Sequence, residues 1–159
     1  MTNKHQGYFL VFTSHFDRDR GLDQGRLILE HIDRGHQNIW KATSSHRRGQ
    51  GKESFHNWGG MLPPAYRCPL VTQLRVNTTP INLAHVRGVD GNFYKISPYE
   101  MKTDKGGKRS DFGIHLDKNA DGSLGCIVMS QKNFSDFQNT LTRLRSEGVS
   151  ELPLVVGYS

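Results

Sequence analysis

The chain has 159 residues, 35% of them hydrophobic and 23% charged, with 21 Lys plus Arg against 15 Asp plus Glu for a formal charge of +6. That is the size of one ordinary domain, and no apolar run reaches the 18 residues of a membrane-spanning helix. Eight Phe, five Tyr and two Trp give the bulk for a packed core, which argues against wholesale disorder.

In chain order, Tyr8–Phe12 (YFLVF) is the first apolar run, too short for the apolar region of a signal peptide. The expectation is synthesis in the cytoplasm without a leader. Tyr8–Thr13, Arg26–Ile32 and Ile39–Thr43 read as strands, and Ser44–Gly60, with its glycines and sparse apolar content, as one long loop. Met61–Tyr66 is a proline-fixed turn. Leu70–Val76, Ile81–Val86, Asn92–Ser97, Phe112–Leu116 and Cys126–Met129 follow as strands, and Leu152–Tyr158 closes the series. Phe134, Phe137, Leu141 and Leu144 recur at helical spacing and predict one helix over Asn133–Glu147, capped by Ser130 or Asn133 and stopped at Gly148. Many short strands with a single late helix predict a mainly β domain over residues 1–159, a β-sandwich or partial barrel with the helix packed on it.

The positive charge favours an anionic partner. The Lys and Arg are scattered, however, and form no stripe along a helix, so nucleic acid is not the expected one. Two cysteines, Cys68 and Cys126, exclude a disulfide framework and allow at most one bridge.

Chemistry concentrates in Arg109–Met129 (RSDFGIHLDKNADGSLGCIVM). His115 ends a short apolar run, and Ser123-Leu124-Gly125-Cys126 opens another eleven positions later. Strand ends joined by a glycine-bearing turn would bring imidazole and thiol together. A thiol beside a base becomes a thiolate, and the thiolate is the nucleophile. Gly125 leaves the backbone open, so amides near Gly125 and Cys126 are candidate oxyanion donors. The competing reading of Cys126 is a small buried hydrophobe.

The segment I-H followed by S-x-G-C-[IV] resembles the catalytic signature of the L,D-transpeptidase (YkuD) family, whose members act on peptidoglycan. Trp58–Tyr66 (WGGMLPPAY) resembles the family's G-x-[IL]-P-x-G-x-Y segment. Gly107–His115 (GKRSDFGIH) is similar to the lead-in of its short effector-like and endolysin-like members. The likeness spans roughly residues 58 to 130. It implies an L,D-transpeptidase-like fold and a cysteine enzyme acting on peptidoglycan stem peptides, with Cys126 as nucleophile and His115 as base. Ser123 and Gly125 fill the motif's Ser and Gly positions, and Arg109, Asp117, Trp58 and His56 are candidate substrate-binding residues. Leu124 stands where the family usually has His, and Val128 where it commonly has Arg.

The resulting expectation is a cell-wall hydrolase without cofactor, monomeric, acting on the wall after release or delivery as an antibacterial enzyme. The alternatives are a cross-linking L,D-transpeptidase and a non-enzymatic wall-binding or virion-binding module. Asp117, Asn119, Asp121 and Gly122 spell half of a calcium loop, but its twelfth position is Val128 rather than Glu. The scattered histidines form no zinc motif, so no metal is expected.

Overall fold

The computed structural model describes residues 3–15, 24–44, 54–56, 60–118, 123 and 125–159. The fold is mainly β with one helix. Its strands in chain order are β1 (Tyr8–His15), β2 (Gln24–His31), β3 (Gly35–Ala42), β4 (Leu74–Asn77), β5 (Ile81–Leu83), β6 (Gly91–Ser97), β7 (Glu100–Lys102), β8 (Lys108–Ser110), β9 (Gly113–Leu116), β10 (Ile127–Met129) and β11 (Glu151–Tyr158). The helix α1 covers Gln131–Ser146, between β10 and β11. Nine strands form one sheet in the order β10-β9-β6-β4-β11-β1-β2-β3, with β5 paired to β6.

Period-two alternation explains why these segments are strands. Leu10 and Phe12 of β1, Leu27 and Leu29 of β2, Trp40 of β3, and Leu152, Leu154 and Val156 of β11 all turn inward and are buried. Their neighbours along each strand face outward. The two edges of this sheet meet. Thr43, just past β3, donates its N–H to Val128 O at 3.0 Å and accepts from Val128 N at 2.9 Å. The sheet is therefore rolled on itself, with opposing walls sandwiching a common core and β10 at the seam.

Helix α1 packs against β3, β9 and β10, across that seam. Phe137 meets Trp40 edge-on at 5.3 Å and Tyr94 at 5.2 Å. The Trp40 indole N–H donates to Asp136 at 2.7 Å. Ser130 is the N-cap, its side chain accepting from Asn133 N. Among the described residues no helix is long and apolar enough to cross a membrane.

Several elements differ from expectation. The strand expected from Leu70 begins only at Leu74, because Leu70 lies 91% exposed in a turn beyond Pro69. The strand expected over Ile81–Val86 ends at Leu83, and Val86 accepts turn bonds from Val89 and Asp90. A small hairpin, β7 with β8, was not signalled by the pattern. Among the described residues of the expected long loop, Ser54–His56 forms a 3-10 turn with Phe55 buried.

Candidate active site

Cys126 and His115 are placed by two parallel strands. Ile127 of β10 pairs with Ile114 of β9, and Val128 with His115. One step back along this register sets Cys126 level with Gly113, two positions from His115 on the neighbouring strand. A diagonal relation of this kind separates Cβ atoms by about 7–8 Å. The parallel pairing also means that β9 and β10 do not form a hairpin.

The thiol has its own surroundings. Cys126 Sγ lies 3.6 Å from Asp111 O, and the Gly113 N–H also faces it, favouring the thiolate. Asp111 has φ +66°, an uncommon backbone state for a residue other than Gly. Burial outweighs the helpful neighbours, Gly113 N–H and the Arg109 charge, and pushes the Cys126 thiol up to about 11. The free thiol is partly buried, and Cys68, also free, is buried in the core.

His115 is buried, and desolvation lowers its pKa despite the Leu116 carbonyl and Asp117, which both pull the other way. Its Nδ1 is 2.8 Å from Leu116 O. A carbonyl only accepts, so Nδ1 carries the proton and Nε2 carries the lone pair. The ring stacks on Phe93 at 5.9 Å. The Phe93 ring also overlies Gly113, where a Cβ would come within 2.2 Å of Phe93 Cζ. No hydrogen bond joins His115 to Cys126 in this structure. The expected lowering of the thiol pKa by its base is absent because each group is desolvated and held by a different backbone partner.

The turn before Cys126 is tightly held. Ser123 Oγ donates to Cys126 O and accepts from Gly125 N at 3.3 Å. Ser44 Oγ donates to Gly125 O at 2.7 Å and accepts from Leu62 N at 2.9 Å. Gly125 has φ +120°, and a Cβ there would lie 2.6 Å from Phe112, 2.9 Å from the Arg109 guanidinium and 3.0 Å from Gly60 O. Burial pushes the Tyr158 phenol up, so its hydroxyl stays protonated and donates to Leu62 O at 2.5 Å.

Of the candidate substrate-binding residues, Arg109 is buried. Its guanidinium donates to Phe55 O at 2.7 Å, Gly60 O at 2.8 Å and Met61 O at 3.2 Å. It holds the backbone at Phe55, Gly60 and Met61 near the Cys126 turn. His56 sits in a separate, half-buried cluster, with Nδ1 2.7 Å from Thr103 Oγ1 and Nε2 3.3 Å from an Arg67 nitrogen. Arg67 in turn pairs with Asp104 at 2.5 Å. Asp117 follows β9, near His115, and its N–H donates to Met129 O at 2.9 Å. Trp58 lies outside the described residues, as do Asn119, Asp121, Gly122 and Leu124, and with them most of the calcium-loop reading. Among the described residues no cluster of three His, Cys, Asp or Glu is arranged to hold a metal.

Residues that sequence reasoning missed are Ser44, Phe93, Asp111 and Tyr158. Ser44, Phe93 and Tyr158 sit in no motif, and Asp111, inside the Gly107–His115 segment, is not one of its distinctive residue types. Only the register and the rolled sheet bring them to the Cys126 turn.

A cysteine and a tautomer-fixed histidine on adjacent strands, with a glycine-bearing turn clamped behind the thiol, make up this site. Searches against protein-family models, curated proteins and solved structures found no match to this chain.

Proposed function

We propose that the protein is a cysteine peptidase of L,D-transpeptidase-like fold that cleaves peptidoglycan stem peptides. The observation that carries this reading is His115, whose Nδ1 is committed to Leu116 O so that Nε2 is the basic nitrogen, one strand from Cys126. Depressed by burial, this imidazole is neutral at pH 7 and able to accept a proton. Nε2 removes the Sγ proton as the thiolate attacks the peptide carbonyl. The tetrahedral oxyanion collapses to a thioester on Cys126, and the imidazolium returns its proton to the departing amine. Water, deprotonated by Nε2, then releases the acyl group and regenerates the thiol.

Gly125 N–H is turned toward Ser123 Oγ, which makes Cys126 N–H the candidate oxyanion donor of this turn. Thiol and imidazole must close on each other when substrate binds, as is common for catalytic hydrogen bonds that are long in the free enzyme. The formal +6 charge suits accumulation on an anionic wall polymer.

Incubation with intact sacculi is expected to lower turbidity and release shortened stem peptides, with loss of both in Cys126→Ala. New cross-linked dimers at constant turbidity would move the assignment to transfer. Full activity of Cys126→Ala would reject the cysteine mechanism altogether.

A further inference from the structure

Trp40 of β3 turns inward to α1, so its neighbours Ile39 and Lys41 point out from the opposite side of the sheet. On that side the register aligns two adjacent rows of residues across β11, β1, β2 and β3. Gly157, Thr13, Arg26 and Lys41 are successive partners in one row, and Val155, Val11, Ile28 and Ile39 in the other. The second row is wholly apolar, with Ile39 56% and Val155 49% exposed. The first carries two cations and no acid.

A groove of about 870 Å³, the size of one small-molecule site, lies over this corner. Thr13, Arg26, Ile39, Lys41 and Gly157 line it, and no Asp or Glu is among its described lining residues. Gly157 leaves its place in the row open, since a Cβ there would meet nothing within 4 Å. Arg26 and Lys41 are exposed, and among the described residues neither side chain makes a hydrogen bond, ion pair or ring contact. Like charges directly opposite in an antiparallel pair, with Cβ atoms about 4.5–5.5 Å apart, repel each other. Further along the same two strands this is avoided, because Glu30 pairs with His36. An anion reached by both Arg26 and Lys41 would relieve the repulsion. A phosphate has oxygens enough for the guanidinium fork, the ammonium and the Thr13 hydroxyl together, whereas a carboxylate has two.

We propose that the Thr13–Arg26–Lys41 row binds the phosphate of a small phosphate monoester whose organic part rests on Ile39 and the apolar row beside it. A monoester brings close to two negative charges at neutral pH, matching the two cations. A phosphodiester brings one. The groove volume sets the size of the ligand, and the pairing of a charged row with an apolar row sets its amphipathic character. This site is separate from the Cys126 turn and does not rest on the peptidase reading.

The test titrates the full chain calorimetrically with phenyl phosphate and with inorganic phosphate, at about 0.1 M salt to screen charges more than roughly 10 Å away. Phenyl phosphate is expected to bind about threefold more tightly, through the ring buried on Ile39. Arg26→Gln and Lys41→Gln should each weaken both anions about tenfold, and Lys41→Arg should keep most of the binding. Ile39→Ser should erase the preference for phenyl phosphate while inorganic phosphate binds as before. Lys102→Gln, which removes an exposed cation of β7, should leave both titrations unchanged, as should Cys126→Ala. Without phosphate, Lys41→Gln should melt no lower than the parent, because it relieves a repulsion and shows that the variant is folded. Absence of binding, undiminished binding in the Arg26→Gln/Lys41→Gln double variant, or an equal loss in Lys102→Gln overturns the proposal. A loss in Cys126→Ala would place the anion at the thiol instead, and tighter binding per phosphate of poly(glycerol phosphate) would replace the monoester by a polyanion. Either result overturns it as well.

Discussion

At Cys126 and His115, burial drives both groups toward their neutral forms, and the pH dependence of the protein follows from that. The folded thiol titrates at about 11 against an ordinary 9.0, so the unfolded chain releases this proton first. Its contribution to stability is intact below pH 9 and is lost as pH rises toward 11. His115 runs the other way. Its folded pKa lies below the ordinary 6.5, so its contribution is intact above that value and is lost as pH falls through the folded one. Alkylation of Cys126 by iodoacetamide, read by peptide mass, should therefore be slow at pH 7. It should climb by about tenfold per pH unit up to pH 10, because only the thiolate reacts. Rapid, pH-independent labelling between pH 6 and 8 would mean a preformed thiolate–imidazolium pair and would contradict the neutral pair described above.

Among the elements, the Cys126 turn is where sequence and structure inform each other most. The spacing of His115 and Cys126 and the placing of Gly125 were legible because the residue types are chemically distinctive and close in the chain. So was α1, whose apolar face at Phe134, Phe137, Leu141 and Leu144 is all buried. The β7–β8 hairpin was illegible because its strands have three residues each and its connection, Thr103–Gly107, is polar. The role of Arg109 was hidden for a different reason. Its carbonyl partners lie about fifty positions earlier, and a guanidinium next to a catalytic motif looks the same whether it holds substrate or backbone. The parallel pairing of β9 and β10 was equally hidden, since a short glycine-bearing connection ordinarily reads as a hairpin. Gly125→Ala tests this clamped turn directly. The left-handed φ and the contacts with Phe112, Arg109 and Gly60 O should together cost about 1–3 kcal/mol and displace the thiol. Thermal melts and sacculus turnover are both expected to fall. A variant that melts like the parent and keeps full activity would show that the turn does not need its present conformation.

For the whole molecule, the joining of β3 to β10 through Thr43 and Val128 ties Cys126 to global closure. The strand that follows Cys126 is only three residues long, and β9 alone flanks it within the sheet ladder. Its other side is held by the two Thr43–Val128 bonds, with α1 packed across the seam. A strand this short, without that second neighbour, would have one exposed edge beside the Cys126 thiol. Thr43→Pro removes the N–H that reaches Val128 O and leaves that carbonyl without its strand partner. The expected cost is about 1–3 kcal/mol in denaturant unfolding. Amide exchange should quicken first along β10 and the adjoining end of β3, with β1, β2 and β11 keeping their protection, since each of these strands is eight residues long and β1 lies between the other two. Turnover should drop further than global stability alone explains, because the seam fixes where Cys126 stands relative to His115. Uniform loss of protection across every strand would instead mean that the rolled sheet opens as one unit and that the seam is not a separately adjustable part of the site.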